Sequence, residues 1–302
     1  MEKASPNPRV NNSHTRFVAE VSSNHNCDLQ RALDFIDAAA DVGCDAVKFQ
    51  LFKIDQLFSP EVLAKSARLR RRKEWELPVE MLPALAAHCQ KRKVEFSCTP
   101  FYLEAVTELQ PYVDFFKVAS YELLWHDLHK ACIKTGKPLV LAAGMATMDE
   151  IGDAVKHARA QGCQDLTLLH CTSSYPTPAD QANLAAIGTL RDAFKGPVGW
   201  SDHTVSPGVV MRAVEHWGAT MVEFHLDLDG KGDEYAAGHC WLPAQIGEVI
   251  KMVRVGQTAD GDGVKVPVPA ELPDRDWRAD PSDGLRPFKH VRNTWVPPKS
   301  HN

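Results

Sequence analysis

The sequence predicts an α/β chain folded as a TIM (β/α)8 barrel, and three observations predict it. Eight short apolar runs lie between residues 16 and 229, alternating with amphipathic stretches, a pattern that calls for a parallel sheet with crossover helices. The eight units fill residues 16–256, close to the usual barrel size of about 250 residues. The rival doubly wound sheet would carry GxGxxG after its first strand, and VSSNHNCD (21–28) stands there instead.

Taken in order, RFVAEVS (16–22) is the first strand. LQRALDFIDAAADVG (29–43) then repeats apolar residues at helical spacing and stops at Gly43. The second strand, DAVKFQLF (45–52), leads into a long connection, residues 53–77, with the basic run Arg68–Lys73. That run reads first as a solvated helix face, with a lid or an interface element as the alternative. VEMLPALAAHCQKRK (79–93) is the next helix, and VEFSCTP (94–100) and DFFKVAS (114–120) are the third and fourth strands. PLVLAAG (138–144) is followed by the helical MDEIGDAVKHARAQG (148–162). LTLLHCTSSYP (166–176), GPVGWSD (196–202) and ATMVEFHLDLD (219–229) complete the strands, and QIGEVIKMVRVGQ (245–257) the helices. Residues 1–15 read as a loose polar leader. Residues 257–302, rich in Pro, Gly and Asp, read as an extended, partly disordered tail.

Composition narrows the class. A net charge of −5 gives no basic face for nucleic acid. No stretch supplies the roughly 20 apolar residues of a membrane span, and the leader lacks the apolar segment of a secretory signal. The eight cysteines form no CxxC pair or regular framework, which reads as free thiols in a reducing cytoplasm.

Barrel active sites lie at the C-terminal ends of the strands, where this sequence collects its polar groups. Glu20 ends the first strand, Lys48 and Gln50 the second, Thr99 the third. Lys117, Ser120 and Glu122 follow the fourth, Thr172 to Ser174 the sixth, Ser201, Asp202 and His203 the seventh, and Glu223, His225 and Asp227 the eighth. Buried unpaired charge is costly, so the set reads as the lining of one polar pocket. Apolar neighbours would turn Lys48 and Lys117 inward. There they either pair with Glu20 or Glu122, or converge with Ser and Thr hydroxyls on a phosphate and a carboxylate. His203 and His225 end consecutive strands, about 4.8 Å apart in a sheet, and could meet one divalent ion; the plain alternative is two structural histidines. His239, in AAGHC, reads as a surface-loop histidine rather than a third pocket residue.

Eight segments, in order, carry a resemblance. They are AEVSSNHN (19–26), DAVKFQ (45–50), SCTPF (97–101), FKVASYEL (116–123), TGKPLVLAAGMAT (135–147), LLHCTSSYPTP (168–178), GWSDHT (199–204) and VEFHLDLD (222–229). Together they resemble the sialic acid synthase family, which includes the pseudaminic and legionaminic acid synthases. The resemblance implies condensation of phosphoenolpyruvate with an open-chain N-acylated amino sugar such as N-acetylmannosamine, giving a nine-carbon 2-keto-3-deoxy acid and phosphate. It assigns Lys48, Thr99, Lys117, Ser120, Ser173 and Ser201 to phosphoenolpyruvate. His203 and His225 become ligands of a divalent metal, Mn²⁺ first, with Mg²⁺ or Co²⁺ as alternatives. Glu20, Glu122, Asp202 and Glu223 become acidic pocket residues that bind sugar, orient water or move protons, with Glu122 preferred for the water proton. A homodimer in the cytoplasm, without nucleic-acid or membrane partners, is the implied setting.

The sequence departs from the family pattern at four places. Ala142-Ala143 replaces a usual Ser-Thr pair, Cys27 replaces a glycine, and GKGDEYAAGHCWLP (230–243) rewords a sugar-binding loop. The C-terminal antifreeze-like domain common in the family is expected to be missing, and Arg275, Arg278, Arg286 and Arg292 are the tail arginines that could stand in for its sugar-binding one. Three alternatives stay open: another aldose or aldose phosphate as acceptor, a Schiff-base keto-acid lyase using Lys117 or Lys48, and a non-catalytic barrel subunit.

Overall fold

The computed structural model describes residues 14–296. Eight parallel strands form the barrel: β1 (Arg16–Ser22), β2 (Ala46–Leu51), β3 (Glu95–Pro100), β4 (Phe115–Val118), β5 (Leu139–Ala142), β6 (Leu166–Cys171), β7 (Val198–Asp202) and β8 (Met221–Leu226). Each pairs with the next in sequence, and β8 pairs back to β1. This closed parallel ring is the expected TIM barrel. The two-residue β9 (Cys240–Trp241) adds to β8.

Helices follow the strands: α1 (Leu29–Asp41), α2 (Leu82–Arg92), α3 (Leu103–Leu109), α4 (His126–Lys134), α5 (Met148–Ala160), α6 (Ala185–Phe194), α7 (Pro207–Glu215) and α8 (Pro243–Ala259). Local chemistry starts two of them. Asp28 accepts from the Arg31 amide at 2.8 Å at the head of α1, and Thr147 with Glu150 forms a reciprocal capping box on α5.

Period-two alternation sorts each strand into two faces. Phe17, Val47, Phe49, Phe96, Phe116, Trp200 and Phe224 face outward and join the helices in one large core. Fully burying such a side chain stabilises the fold by about 1.5–3 kcal/mol. Inward, Val18, Ala46, Phe115, Val140, Ala142, Leu169 and Met221 form a separate apolar plug. Gly199 is needed beside it, because an added Cβ would stand 2.4 Å from the Met221 carbonyl oxygen. Beyond the plug, the same inward parity delivers Glu20, Lys48, Lys117, Ser201, Glu223 and His225 to the mouth.

The connection after β2 folds as short helices, Ile54–Leu57, Pro60–Lys65 and Ala67–Arg71, with a 3₁₀ turn at Arg72–Trp75. Phe52, Ile54 and Leu63, with Leu57, Phe58, Leu69 and Phe101, form its own apolar cluster. A compact unit ends at Thr258 and a second begins at Ala259. The second unit contains three short helical turns and internal contacts: Trp277 meets Trp295 edge-on at 6.0 Å, and Arg292 pairs with Asp283 at 2.7 Å. All eight cysteines are free. Among the described residues no helix is long and apolar enough to cross a membrane.

Candidate active site

The strand ends surround one cavity of about 630 Å³, within the size range of small-molecule sites. Register builds its polar floor. Glu20 stands opposite Lys48 on β2 and opposite His225 on β8, and Ser201 stands opposite Glu223. Lys48 pairs closely with Glu20 and lies 3.8 Å from Glu223 Oε2. Lys117 Nζ lies 3.0 Å from Glu223 Oε1. Lys48 also donates to Thr99 Oγ1 at 3.1 Å, and Ser201 Oγ donates to Glu223 at 3.2 Å. Both lysines are therefore ion-paired, with Glu223 rather than Glu122 as the second carboxylate.

Burial acts against every charge in this cluster. It pushes Glu223 upward, but the ammonium groups of Lys117 and Lys48 outweigh it and hold the carboxyl at about 2. It pulls Lys48 down, with Glu223 opposing. Glu122, on the turn after β4, has weaker compensation. Burial raises its carboxyl to about 7 against the pull of Lys117, and Oε2 is buried without a hydrogen-bond partner.

The turn after β5 supplies backbone donors. The Gly144 amide donates to Ser120 Oγ at 3.0 Å. Only glycine fits there, because a Cβ would lie 2.2 Å from Ser173 Oγ and 2.8 Å from Ser120 Oγ. Ser120, Ser173 and Cys171 thus converge on one backbone position.

Histidines line the far wall. The His203 and His225 ring centroids are 5.5 Å apart, and His225 and His239 are 5.1 Å apart. His203 Nδ1 lies 2.8 Å from the Thr172 carbonyl, which accepts its proton and leaves the lone pair at Nε2. Burial and the neighbouring His225 lower His203 to about 3, so the ring is neutral at physiological pH. His225 Nδ1 is held at 2.9 Å by Glu234, which also accepts from Ser22 Oγ at 2.5 Å. Burial raises Glu234, but these partners bring it well below the usual carboxylate range. Tyr175 packs against all three rings, 4.2 Å from His203.

The NeuB family model matches residues 35–265, most of the barrel. The chain belongs to the NeuB family. It is 36% identical over 266 residues to the N,N'-diacetyllegionaminic acid synthase of Campylobacter jejuni, covering 83% of this chain and 79% of that protein. It is 33% identical over 285 residues to the synthase of the same name from Legionella pneumophila, covering 89% and 79%. The crystal structure of N-acetylneuraminic acid (sialic acid) synthetase from Leptospira borgpetersenii, in complex with citrate, superposes with a TM-score of 0.77. That alignment has 28% identity and covers 90% of this chain and 94% of that one. The NeuB chain is accordingly an enzyme of the transferase type.

Of the expected site residues, the NeuB cavity gathers Glu20, Lys117, Ser120, Glu122, Ser201, His203, Glu223 and His225 on its wall. Lys48 and Thr99 lie in contact with that wall through Glu20, Glu223 and each other, and Ser173 joins the Ser120 corner without lining the cavity. Asp202 does not line the cavity. It is fully buried with the parity of Trp200, on the outward face. There it accepts from the indoles of Trp200 and Trp241 at 3.1 and 2.9 Å, from Thr204 Oγ1 at 2.7 Å, and from the Thr204 and Val205 amides. It fastens the β7 end to β9 and is a structural anchor. Asp227 likewise caps the loop after β8, accepting from the amides of Asp229, Gly230 and Gly232.

His239, Glu234, Tyr175 and Arg72 line the cavity and carry no role in the sequence reading. His239 is buried and lines the cavity, so it is not a surface-loop residue. Glu234 lies in the reworded loop 230–243 and Tyr175 in LLHCTSSYPTP (168–178), segments in which the resemblance assigns neither residue a role of its own. Within the basic run, Arg68, Arg70, Arg71 and Lys73 are exposed, as a solvated face requires, but Arg72 turns in and lines the cavity. Its guanidinium lies 5.6 Å from the Phe58 ring and 5.4 Å from Trp75, and Nε is buried without a hydrogen-bond partner.

The donor set suits a divalent ion. His203 and His225 each have Nδ1 committed, to the Thr172 carbonyl and to Glu234, the arrangement that outer carboxylates and carbonyls impose on metal ligands. Ligand atoms of His225, Glu234, His239 and Cys240 all lie within 4.8 Å of one another. Burial and the Glu234 charge raise the Cys240 thiol, leaving nitrogen and oxygen as the ready donors.

Proposed function

We propose that this chain condenses phosphoenolpyruvate with the open-chain aldehyde of an N-acylated amino sugar, N-acetylmannosamine or a diacetamido relative. The products are a nine-carbon 2-keto-3-deoxy sugar acid and inorganic phosphate. The carrying observation is the single cavity that sets Lys117, Ser120 and Ser201 against a wall of His203 and His225. Cationic and hydroxyl donors suit the phosphate and carboxylate of the enol phosphate. The names of the relatives, acid synthases of legionaminic and neuraminic type, support the same product class.

A divalent ion held by His203 and His225, Mn²⁺ first and Mg²⁺ or Co²⁺ as alternatives, supplies Lewis-acid polarisation of an aldehyde oxygen. The protein does the rest. Lys117 and Ser120 orient the phosphate, so that C3 of the enol faces the aldehyde carbon. A carbon–carbon bond forms from the enol π electrons, and the aldehyde oxygen takes up a proton. Water adds to the cationic C2 as Glu122, raised to about 7 by burial, accepts its proton. The C2–O bond to phosphate then breaks as the C2 hydroxyl gives its proton to the departing phosphate, leaving the 2-keto group and inorganic phosphate. Glu223, held anionic between two ammonium groups, fixes Lys117 and Lys48 in place; Glu20 does the same for Lys48.

A second reading of the acceptor has its own support. Arg72 brings an unpaired guanidinium nitrogen to the cavity wall, which suits an acceptor that carries phosphate. Product mass distinguishes all readings. Incubation with phosphoenolpyruvate and an amino sugar should yield the mass of the sugar plus pyruvic acid, whereas a borohydride-trapped adduct on Lys117 or Lys48 would favour the lyase.

A further inference from the structure

A second cavity, of about 730 Å³, adjoins the active-site cavity and shares Leu69 and Arg72 with it. The basic stretch after β2 forms its wall. Arg68 and Arg71 stand exposed at the rim and Arg72 half-buried within, with Trp75 beside them and the carboxylates of Glu74 and Asp233 also lining the space. An apolar cluster of Phe52, Ile54 and Leu63, joined by Phe58 and Leu69, holds this wall together from below.

Charge satisfaction marks the wall as unusual. Lys73, the next residue along, pairs with Asp55 at 3.6 Å, whereas Arg68, Arg71 and Arg72 make no ion pair among the described residues. The Arg72 guanidinium rests against two rings, 5.6 Å from Phe58 and 5.4 Å from Trp75. Such contacts fix a guanidinium without using its N–H donors. Its Nε is buried without a hydrogen-bond partner, where buried donors are normally paired. Burial pulls Arg72 below its ordinary value; Glu234 opposes this, and the nearby Arg68 charge adds to it. Arginine keeps its proton in proteins, so the two guanidinium groups repel each other, and an anion bridging them would relieve both faults.

We propose that this outer cavity is a subsite for a phosphate monoester at the far end of the acceptor sugar, held by Arg72 and Arg68. The inference rests on the reading of the acceptor as a sugar phosphate and gives that phosphate its place. The enol phosphate has its own seat: Ser120, Ser173 and the Gly144 amide converge after β4 to β6, whereas the basic stretch follows β2, on the other side of the ring. With the aldehyde at the His203 and His225 wall, the rest of the acceptor runs toward Arg72 and its last carbon comes nearest the outer cavity. Guanidinium forks match phosphate oxygens bidentately. A phosphate monoester offers three such oxygens, enough for both arginines, and a carboxylate only two. A neutral sugar leaves the buried Arg72 donor unpaired.

The test is calorimetric binding of N-acetylmannosamine and its 6-phosphate to the full chain. The protein is saturated with phosphoenolpyruvate, which fills the Ser120 corner, and stripped with chelator, so that binding is read without turnover. Wild type should bind the 6-phosphate about 10–150-fold more tightly than the neutral sugar, the scale of a charge-assisted bond. Arg72→Ala and the exposed Arg68→Ala should each remove most of that preference and leave the neutral sugar near wild type. Lys73→Ala removes the same charge outside both cavities and should keep the preference. Equal affinity for the two sugars in wild type overturns the proposal, as does a loss in Lys73→Ala as large as in the arginine variants. Inorganic phosphate binding as tightly as the sugar phosphate would also overturn it, because the site would then be a general anion site. Phosphate release with Mn²⁺ is followed alongside. If neither sugar releases phosphate the condensation fails, while a 6-phosphate preference lost in both arginine variants still supports the subsite.

Discussion

Glu234 Oε2 sits 2.9 Å from Nδ1 of His225, and this contact sets which ring nitrogen faces the cavity. The strand positions His225, but a loop residue nine positions later fixes its tautomer. Outer partners of this kind typically contribute 10–100-fold to metal affinity. Glu234→Gln should therefore weaken Mn²⁺ binding by about that factor while leaving phosphoenolpyruvate affinity near wild type. Titration calorimetry with each ligand checks both halves.

Glu122 should govern the pH profile. Its carboxyl is raised to about 7 by burial, so the basic form appears only as pH passes that value. The rate should rise through pH 7 in wild type. Glu122→Gln should flatten that limb and lower kcat by about 10²–10⁴-fold, the usual scale of general-base loss.

Glu223 neutralises two buried ammonium groups, so removing its charge leaves them opposed only by Glu20. Breaking such a buried pair costs about 3–5 kcal/mol, and Glu223→Gln should lower the thermal midpoint accordingly. The sign in pH follows from its depressed value of about 2 against an ordinary 4.5. The stabilisation is complete above the unfolded value and is lost as pH falls from about 4.5 toward 2. The midpoint gap between wild type and Glu223→Gln should close over that window.

Asp202 and Arg72 should separate stability from recognition. Asp202→Ala leaves two buried indole donors unpaired and should cost several kcal/mol of stability, about 1–3 per orphaned donor, without a specific change in either KM. Arg72→Ala should leave stability and the KM for phosphoenolpyruvate near wild type. A charge-assisted bond of about 1.5–3 kcal/mol would raise the KM of a phosphorylated acceptor about 10–150-fold and leave a neutral sugar almost unaffected. Steady-state kinetics on both acceptors decides between the two acceptor readings.

The barrel was legible because parallel strands buried on both faces leave apolar runs, and polar residues at their ends break those runs in a regular way. Lys48, Lys117, Glu223 and His225 could be placed on that basis. Asp202 owes its expected pocket role to the resemblance alone; the parity that turns Ser201 inward turns this neighbour outward, against the indoles of Trp200 and Trp241. Glu234, His239 and Arg72 reach the cavity by loop and short-helix geometry, which has no period to read.

The most direct measurement is phosphate release from phosphoenolpyruvate with Mn²⁺, against a panel of N-acylated amino sugars and their 6-phosphates. The account predicts release that depends on one acceptor, stops with chelator, and is lost in His203→Ala. Release that proceeds without any sugar, or that persists in chelator and in His203→Ala, would contradict it.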